Sequence, residues 1–351
     1  MKSLLVLTAP ILAFVCYTAS LPPFIWLLIL PVIYIFDRLL VDANKSPFSR
    51  DINVSRFTLY IGTFVHLTIL FWGLGQLASK PFNLSSASLL FSTSMLAVAA
   101  SSAPVGHELI HKRNALDKLM GALIFSSICF PSFVIEHLRG HHVDAATPLD
   151  ADSADKGQSY YGFLLNAVPA QFKKAYLLER KRLQTLELPF FHWKNELLHY
   201  CSITFCIAVT IYLNWHSIGL MYFLLYSAIA ISSIEMIQYM SHYGLKRQIS
   251  EEGKYTRTTR EHSWNSNGML TDLLSLSIQK HSAHHEMPTE YFHGLDVTED
   301  SPLMPQSYYL MFAVALFPAL WFKIMNPRVD AVMAAYQEKF AQIKGQENPT
   351  P

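Results

Sequence analysis

Four short histidine clusters, each closing an apolar stretch, constrain this chain more than any other feature. They read His107-Glu-Leu-Ile-His111, His137-Leu-Arg-Gly-His141-His142, the lone His242, and His281-Ser-Ala-His284-His285. Imidazole is the commonest side-chain metal ligand and suits iron, copper, zinc and nickel. Residues three or four apart share one face of a helix, so pairs at this spacing can grip one ion. Nine such ligands are too many for one ion and suit two. The adjacent pairs, His141/His142 and His284/His285, point to opposite sides of a turn and can serve different ions. Any fold that uses them must bring four distant segments to one point.

The stretches between the clusters say where that point lies. Of 351 residues, 51% are hydrophobic and only 15% charged. Soluble domains carry about a quarter charged residues, so the deficit indicates a membrane. A net charge of +1 gives no polybasic case for nucleic acid. Cys16, Cys129, Cys201 and Cys206 lie in apolar runs without a C-x-x-C pair, which argues against a thiolate site or a disulfide framework.

Runs long enough to span a bilayer, at about 20 residues each, occupy 3–20, 21–36, 57–78, 84–106, 197–213 and 218–240. Residues 1–20 read as an uncleaved first span. Arg38, Lys45, Arg50 and Arg56 place 37–56 in the cytoplasm, so both termini and the ends of the fourth and sixth spans lie inside. A seventh run, 119–135, cannot cross: it would separate His107/His111 from His137/His141/His142 by about 30 Å. It is expected to dip and return, or to pack beneath the spans. Residues 143–196 and 243–305 read as cytoplasmic, the former helical around 170–185. The apolar run 306–324 reads as an interfacial helix, with a loose tail after Gln342. The expectation is one all-α integral membrane domain over 1–351, with six transmembrane helices and a cytoplasmic histidine-rich site for two metals.

Other readings explain less. H-E-x-x-H fits a zinc protease with Glu108 as base, but leaves His137, His141, His142, His281, His284 and His285 unused. A transporter needs ionisable groups near the bilayer midplane; here they gather at one face, and the spans offer little beyond His66 and Glu235. A haem protein needs only one or two axial histidines. His66, His192, His199, His216 and His293 read as ordinary hydrogen-bonded residues. Glu108 and Glu136 adjoin ligands and read as hydrogen-bond partners or a proton route; His262 reads as a ligand-supporting or partner-facing residue.

The clusters resemble those of the membrane alkane monooxygenases, within the histidine-box group that includes xylene monooxygenase and the fatty-acyl desaturases. The likeness extends to Ala146-Thr147-Pro148-Leu149-Asp150, His262-Ser263-Trp264-Asn265-Ser266-Asn267 and Ser301-Pro302-Leu303-Met304-Pro305, and covers about residues 85–330. His242-Tyr243-Gly244 and the Ser-Trp-Asn-Ser-Asn element favour alkane hydroxylases over desaturases. The resemblance implies that His107, His111, His137, His141, His142, His242, His281, His284 and His285 hold two irons. It also implies that rubredoxin and its NAD(P)H-dependent reductase deliver electrons. The implied reaction uses O2 to hydroxylate an unactivated C–H bond, foremost the terminal carbon of an n-alkane; the alternative is hydroxylation or desaturation of an alkylaromatic, terpene or acyl chain. Three positions depart from the family pattern: Gln238 and Ser241 stand where Asn and Glu are usual, and Ala283 where Asp is usual. Glu235, one turn before Tyr239, is the candidate substitute for a lost acid.

Overall fold

A computed structural model describes residues 52–79, 81–97 and 104–347, together with Ile35 and Asp37. The expected spans 3–20 and 21–36 therefore lie, apart from Ile35, outside the described residues. Among the described residues the architecture is helical, with isolated backbone bridges at Ile249–Tyr255 and Asn265–Leu303 and no strand.

Among the described residues two helices are long and apolar enough to cross a membrane, within Ile52–Ala78 (α1) and Glu196–His242. Between them in sequence come Leu84–Ala97 (α2), His107–Ile110 (α3), Ala115–Ser126 (α4), Ser132–Glu136 (α5), a π-helical turn His137–His141, His142–Asp144 (α6) and Tyr160–Thr185 (α7). The run 119–135 is thus two helices, α4 and α5, joined by a turn in which Cys129 takes φ 55°. That reversal leaves both of its ends near the histidines. Side chains cap the helix starts: Asn114 accepts from Leu116 N at 2.8 Å, and Asn195 from Leu198 N at 3.0 Å.

Glu196–His242 (α8) is 47 residues long and breaks at His216 (φ 50°, ψ −151°). Its two halves run back alongside each other. Glu196 N donates to Glu179 Oε1 at 2.7 Å, while Gln171 Nε2 donates to Glu235 Oε2 at 2.8 Å. Gln171 and Glu179 are about 12 Å apart along α7, whereas a straight helix would separate residues 196 and 235 by about 58 Å.

The chain closes with Met269–Ser275 (α9), His281–Glu286 (α10), Tyr308–Ala315 (α11) and Pro318–Glu347 (α12). The run 306–324 is split between α11 and α12, and α12 remains helical past Gln342. One apolar core joins α1, α4, α5 and α8 through Leu70, Phe125, Phe133, Ile207 and Phe223. A second joins α7, α8, α11 and α12 through Phe163, Tyr239, Met311 and Trp321. Phe133 of the first core lies four residues before His137, and Tyr239 of the second lies three residues before His242.

Candidate metal centre

The nine histidines meet as two sets. His107, His111, His137, His142 and His284 form one, and His141, His242, His281 and His285 the other; within each set the nitrogens lie within 4.8 Å of one another. The adjacent pairs divide, His141 and His285 facing the second set and His142 and His284 the first.

Local backbone geometry explains the division. His107/His111 and His281/His285 are four apart on α-helices and each pair shares a set, as the spacing predicts. His137 and His141 are also four apart yet do not share one. They lie on the π-turn His137–His141. In an α-helix residues five apart point about 140° away from each other; the wider π-turn reduces that angle and returns His142 to the face of His137. Their Nε2 atoms lie 3.1 Å apart.

Close approach elsewhere builds the cage. A Cβ on Gly121 would lie 2.8 Å from Gly106 O and 2.9 Å from Ile110 N, so glycine lets α4 press against α3. Phe133 stacks on His137 at 4.7 Å and 12°, with Phe125 stacked behind it at 4.3 Å.

The nitrogens fit metal ions better than they fit each other. His137 Nε2 lies 2.9 Å, 3.1 Å and 3.1 Å from Nε2 of His107, His111 and His142. One ring nitrogen cannot make hydrogen bonds with three others. In the second set His242, His281 and His285 form a triangle of Nε2 atoms with sides of 3.0–3.1 Å. Cis ligands on an octahedral ion at about 2.1 Å stand about 3.0 Å apart, whereas tetrahedral ligands at that bond length stand about 3.4 Å apart. Five converging imidazoles also exceed the tetrahedral set that structural zinc prefers.

Protonation suits this role. Burial, followed by the charges of neighbouring histidines, holds His111, His137, His142, His281, His284 and His285 well below their ordinary 6.5. Burial likewise lowers His107 to about 3. These rings are neutral at pH 7, the form a metal takes. His141 differs. Burial pushes it down, but the charge and hydrogen bond of Asp150 outweigh this and raise it, while Asp150 is depressed in turn.

Two of the nine rings are oriented from behind. His141 Nδ1 donates to Asp150 Oδ2 at 3.0 Å, and His242 Nδ1 donates to the His262 carbonyl at 3.0 Å. Each bond keeps Nε2 free to face the set. The remaining sequence candidates fall as follows. Glu108 Oε1 is engaged by Lys112 Nζ at 2.8 Å and Phe292 N at 3.2 Å, which leaves it unsuited as a protease base. Glu136 lies 3.4 Å from Lys174 Nζ, and burial, with the charges of Asp152 and Asp150, raises it well above its ordinary value. Glu235 bonds Gln171 rather than a histidine. The His262 ring bonds Thr259 N at 2.9 Å and meets Tyr336 edge-on at 4.7 Å.

At the unusual positions, Gln238 donates to Asp152 Oδ2 at 3.0 Å, Ser241 bonds the Tyr308 hydroxyl at 3.0 Å, and Ala283 is buried. The supporting acids the sequence reading missed are Asp150 and Asp152. The available signal was chemical: a ligating histidine needs an acceptor behind it, and Asp150 lies nine residues from His141.

A family model described as fatty acid desaturase matches residues 84–315, which hold every helix that contributes a histidine to either set. The chain belongs to the fatty acid desaturase family. It is 40% identical to alkane 1-monooxygenase 1 of Pseudomonas aeruginosa over 247 residues, 70% of this chain and 64% of that protein. It is 42% identical to alkane 1-monooxygenase 2 of Alcanivorax borkumensis over 227 residues, 65% of this chain and 59% of that protein. It is 29% identical to the xylene/toluene monooxygenase hydroxylase component of Pseudomonas putida over 223 residues, 63% and 58% of the two chains. The chain thus spans under two thirds of the length of the curated relatives it matches. Within the fatty acid desaturase family it lies beside the alkane hydroxylases.

Proposed function

We propose that this chain is a membrane monooxygenase that hydroxylates an unactivated C–H bond of an apolar substrate, foremost the terminal carbon of an n-alkane. Its nine clustered histidines hold two irons, five ligands to one and four to the other. The observation that carries this reading is the convergence of nine imidazole nitrogens in two sets, in a chain 40% identical to an alkane 1-monooxygenase.

The overall reaction is R–H + O2 + two electrons + two protons giving R–OH + H2O. Iron, when bound, supplies the reduction of O2 to an oxidant that can attack a C–H bond, which no acid or base side chain can provide. The chain's own groups position and enclose. Asp150 and the His262 carbonyl orient His141 and His242. Phe133, backed by Phe125, presses the edge of the apolar core against the His137 ring. Lys112, donating to Thr289 O and Glu290 O at 3.2 Å and 2.9 Å, straps the segment after α10 beside the five-histidine set and limits water there. Rubredoxin with its reductase supplies the electrons.

The bilayer supplies the substrate. Phe57 and Phe64 on α1, and Phe205 and Leu213 on α8, are 64–71% exposed, as lipid-facing side chains are. This supports insertion in a membrane; the reading is completed by an inner-membrane, multi-pass protein with a cytoplasmic metal site, the side that the cationic segment 37–56 favours.

The test is an iron assay on purified protein, followed by mass spectrometry of octane and xylene incubations under 18O2 with rubredoxin and reductase. One labelled oxygen in an alcohol is expected. An alkene would identify a desaturase, and iron-loaded protein that yields neither product from any apolar substrate would overturn the proposal.

A further inference from the structure

Helix α7 has three faces. Phe163, Ala167, Gln171 and Ala175 are buried against the protein on the first, and Glu179, near the helix end, is buried as well. Tyr161, Leu165, Phe172 and Tyr176, 40–76% exposed, fall within about 60° of one another on a second face. Asn166, Lys173 and Arg180, seven apart and exposed, line the third. The apolar face does not stop at the helix end. Tyr176 meets Phe190 at 5.1 Å, and Phe191 and Trp193, 87% and 72% exposed, carry the stripe to the start of α8. From there the lipid-facing side chains of α8 continue it.

We propose that α7 and the loop 186–195 lie in the plane of the cytoplasmic membrane interface. The second face would be sunk among acyl chains and the third turned to headgroups and water. This rests on the membrane reading above. The charges exclude a spanning orientation, because Lys173 and Lys174 lie at the middle of the 26-residue helix and would enter the hydrocarbon in any register that crosses it. An in-plane helix with an apolar stripe, a cationic flank and aromatic residues at one end matches the boundary between acyl chains and headgroups. That occupant also accounts for Phe191 and Trp193, whose rings meet Phe190 at 5.4 Å and Lys194 at 5.5 Å yet stay 87% and 72% exposed.

Placement in the bilayer then bears on the metal site. The protein-facing side of α7 presents Gln171 to Asp152 and Glu235, and Lys174 sits 3.0 Å from Asp144 and 3.4 Å from Glu136. The membrane surface thereby sets the depth of the carboxylates behind His141.

The experiment is spin-label accessibility on full-length, iron-loaded protein in phospholipid nanodiscs. Cys16, Cys129 and Cys201 are replaced by Ala. Native Cys206, exposed on α8, is the lipid reference, and test labels go in one at a time as Leu165→Cys, Phe172→Cys, Asn166→Cys and Lys173→Cys with Cys206→Ala. Labels at 165 and 172 should collide more often with dissolved oxygen than with aqueous nickel–EDDA, as the label at 206 does, and labels at 166 and 173 the reverse. Nickel–EDDA preference at 165 and 172 beside oxygen preference at 206 would overturn the in-plane helix alone. Nickel–EDDA preference at 206 itself would overturn the membrane reading, and this proposal with it.

Discussion

His141 and Asp150 form a buried pair behind the four-histidine set, Nδ1 to Oδ2 at 3.0 Å, with Ser153 Oγ donating to the same carboxylate oxygen at 2.6 Å. Carboxylates so placed fix the orientation of a ligating imidazole and raise its basicity. Asp150→Asn keeps the shape and removes the charge. We expect iron affinity at the four-histidine set to fall about 10- to 100-fold, read as loss of about one iron per chain on dialysis against a weak chelator. Full retention would show that Asp150 is dispensable.

Gly121 allows contact between α4 and α3, where any Cβ meets backbone. Gly121→Ala should cost about 1–3 kcal/mol through overpacking and shift His107 and His111 together. A lowered unfolding temperature with reduced iron at the five-histidine set is expected from thermal melts and metal analysis.

Lys112 is buried, paired with Glu108, bonded to two carbonyls and set 3.9 Å above the Tyr291 ring. Lys112→Met should release residues 289–292. Amide exchange of Phe292, whose N–H donates to Glu108, should then accelerate at least tenfold, the equivalent of about 1.4 kcal/mol of lost protection. Unchanged exchange would argue against the strap.

Glu179 joins α7 to the start of α8. It accepts from Arg139 at 2.8 Å, Arg182 at 2.6 Å and Glu196 N at 2.7 Å. Burial pushes its carboxyl up, but the Arg182 and Glu196 hydrogen bonds and the neighbouring arginine charges outweigh this and hold it below its ordinary 4.5. A carboxylate depressed in the fold contributes stability fully present above about pH 4.5 and lost as pH falls through the depressed value. Glu179→Gln should cost about 2 kcal/mol at pH 7, with the deficit shrinking below pH 4.5. A pH-independent deficit in detergent melts would contradict this.

The histidine clusters were legible in sequence because nine imidazoles ending apolar runs have few other uses. The division between sets was less so. The i,i+4 rule groups His137 with His141, but it assumes an α-helix, and the π-turn at 137–141 groups His137 with His142 instead. Asp150 and Asp152 were hidden because an acid's role depends on what folds over it. Here that includes Gln171 and Gln238, from two helices distant in sequence. A helix around 170–185 was legible and α7 contains it, but its apolar stripe was not: averaged over 143–196 the segment is polar, and Leu165, Phe172 and Tyr176 align only once the helix is drawn.

Iron-57 Mössbauer spectroscopy with metal analysis tests the two-set centre most directly, on the parent protein and on His284→Ala and His285→Ala. Two irons per chain in two inequivalent, equally populated environments are expected. His284→Ala should deplete one and His285→Ala the other, each abolishing hydroxylation while the protein still inserts. One metal per chain, zinc in place of iron, or the same signal lost from both variants would contradict the assignment.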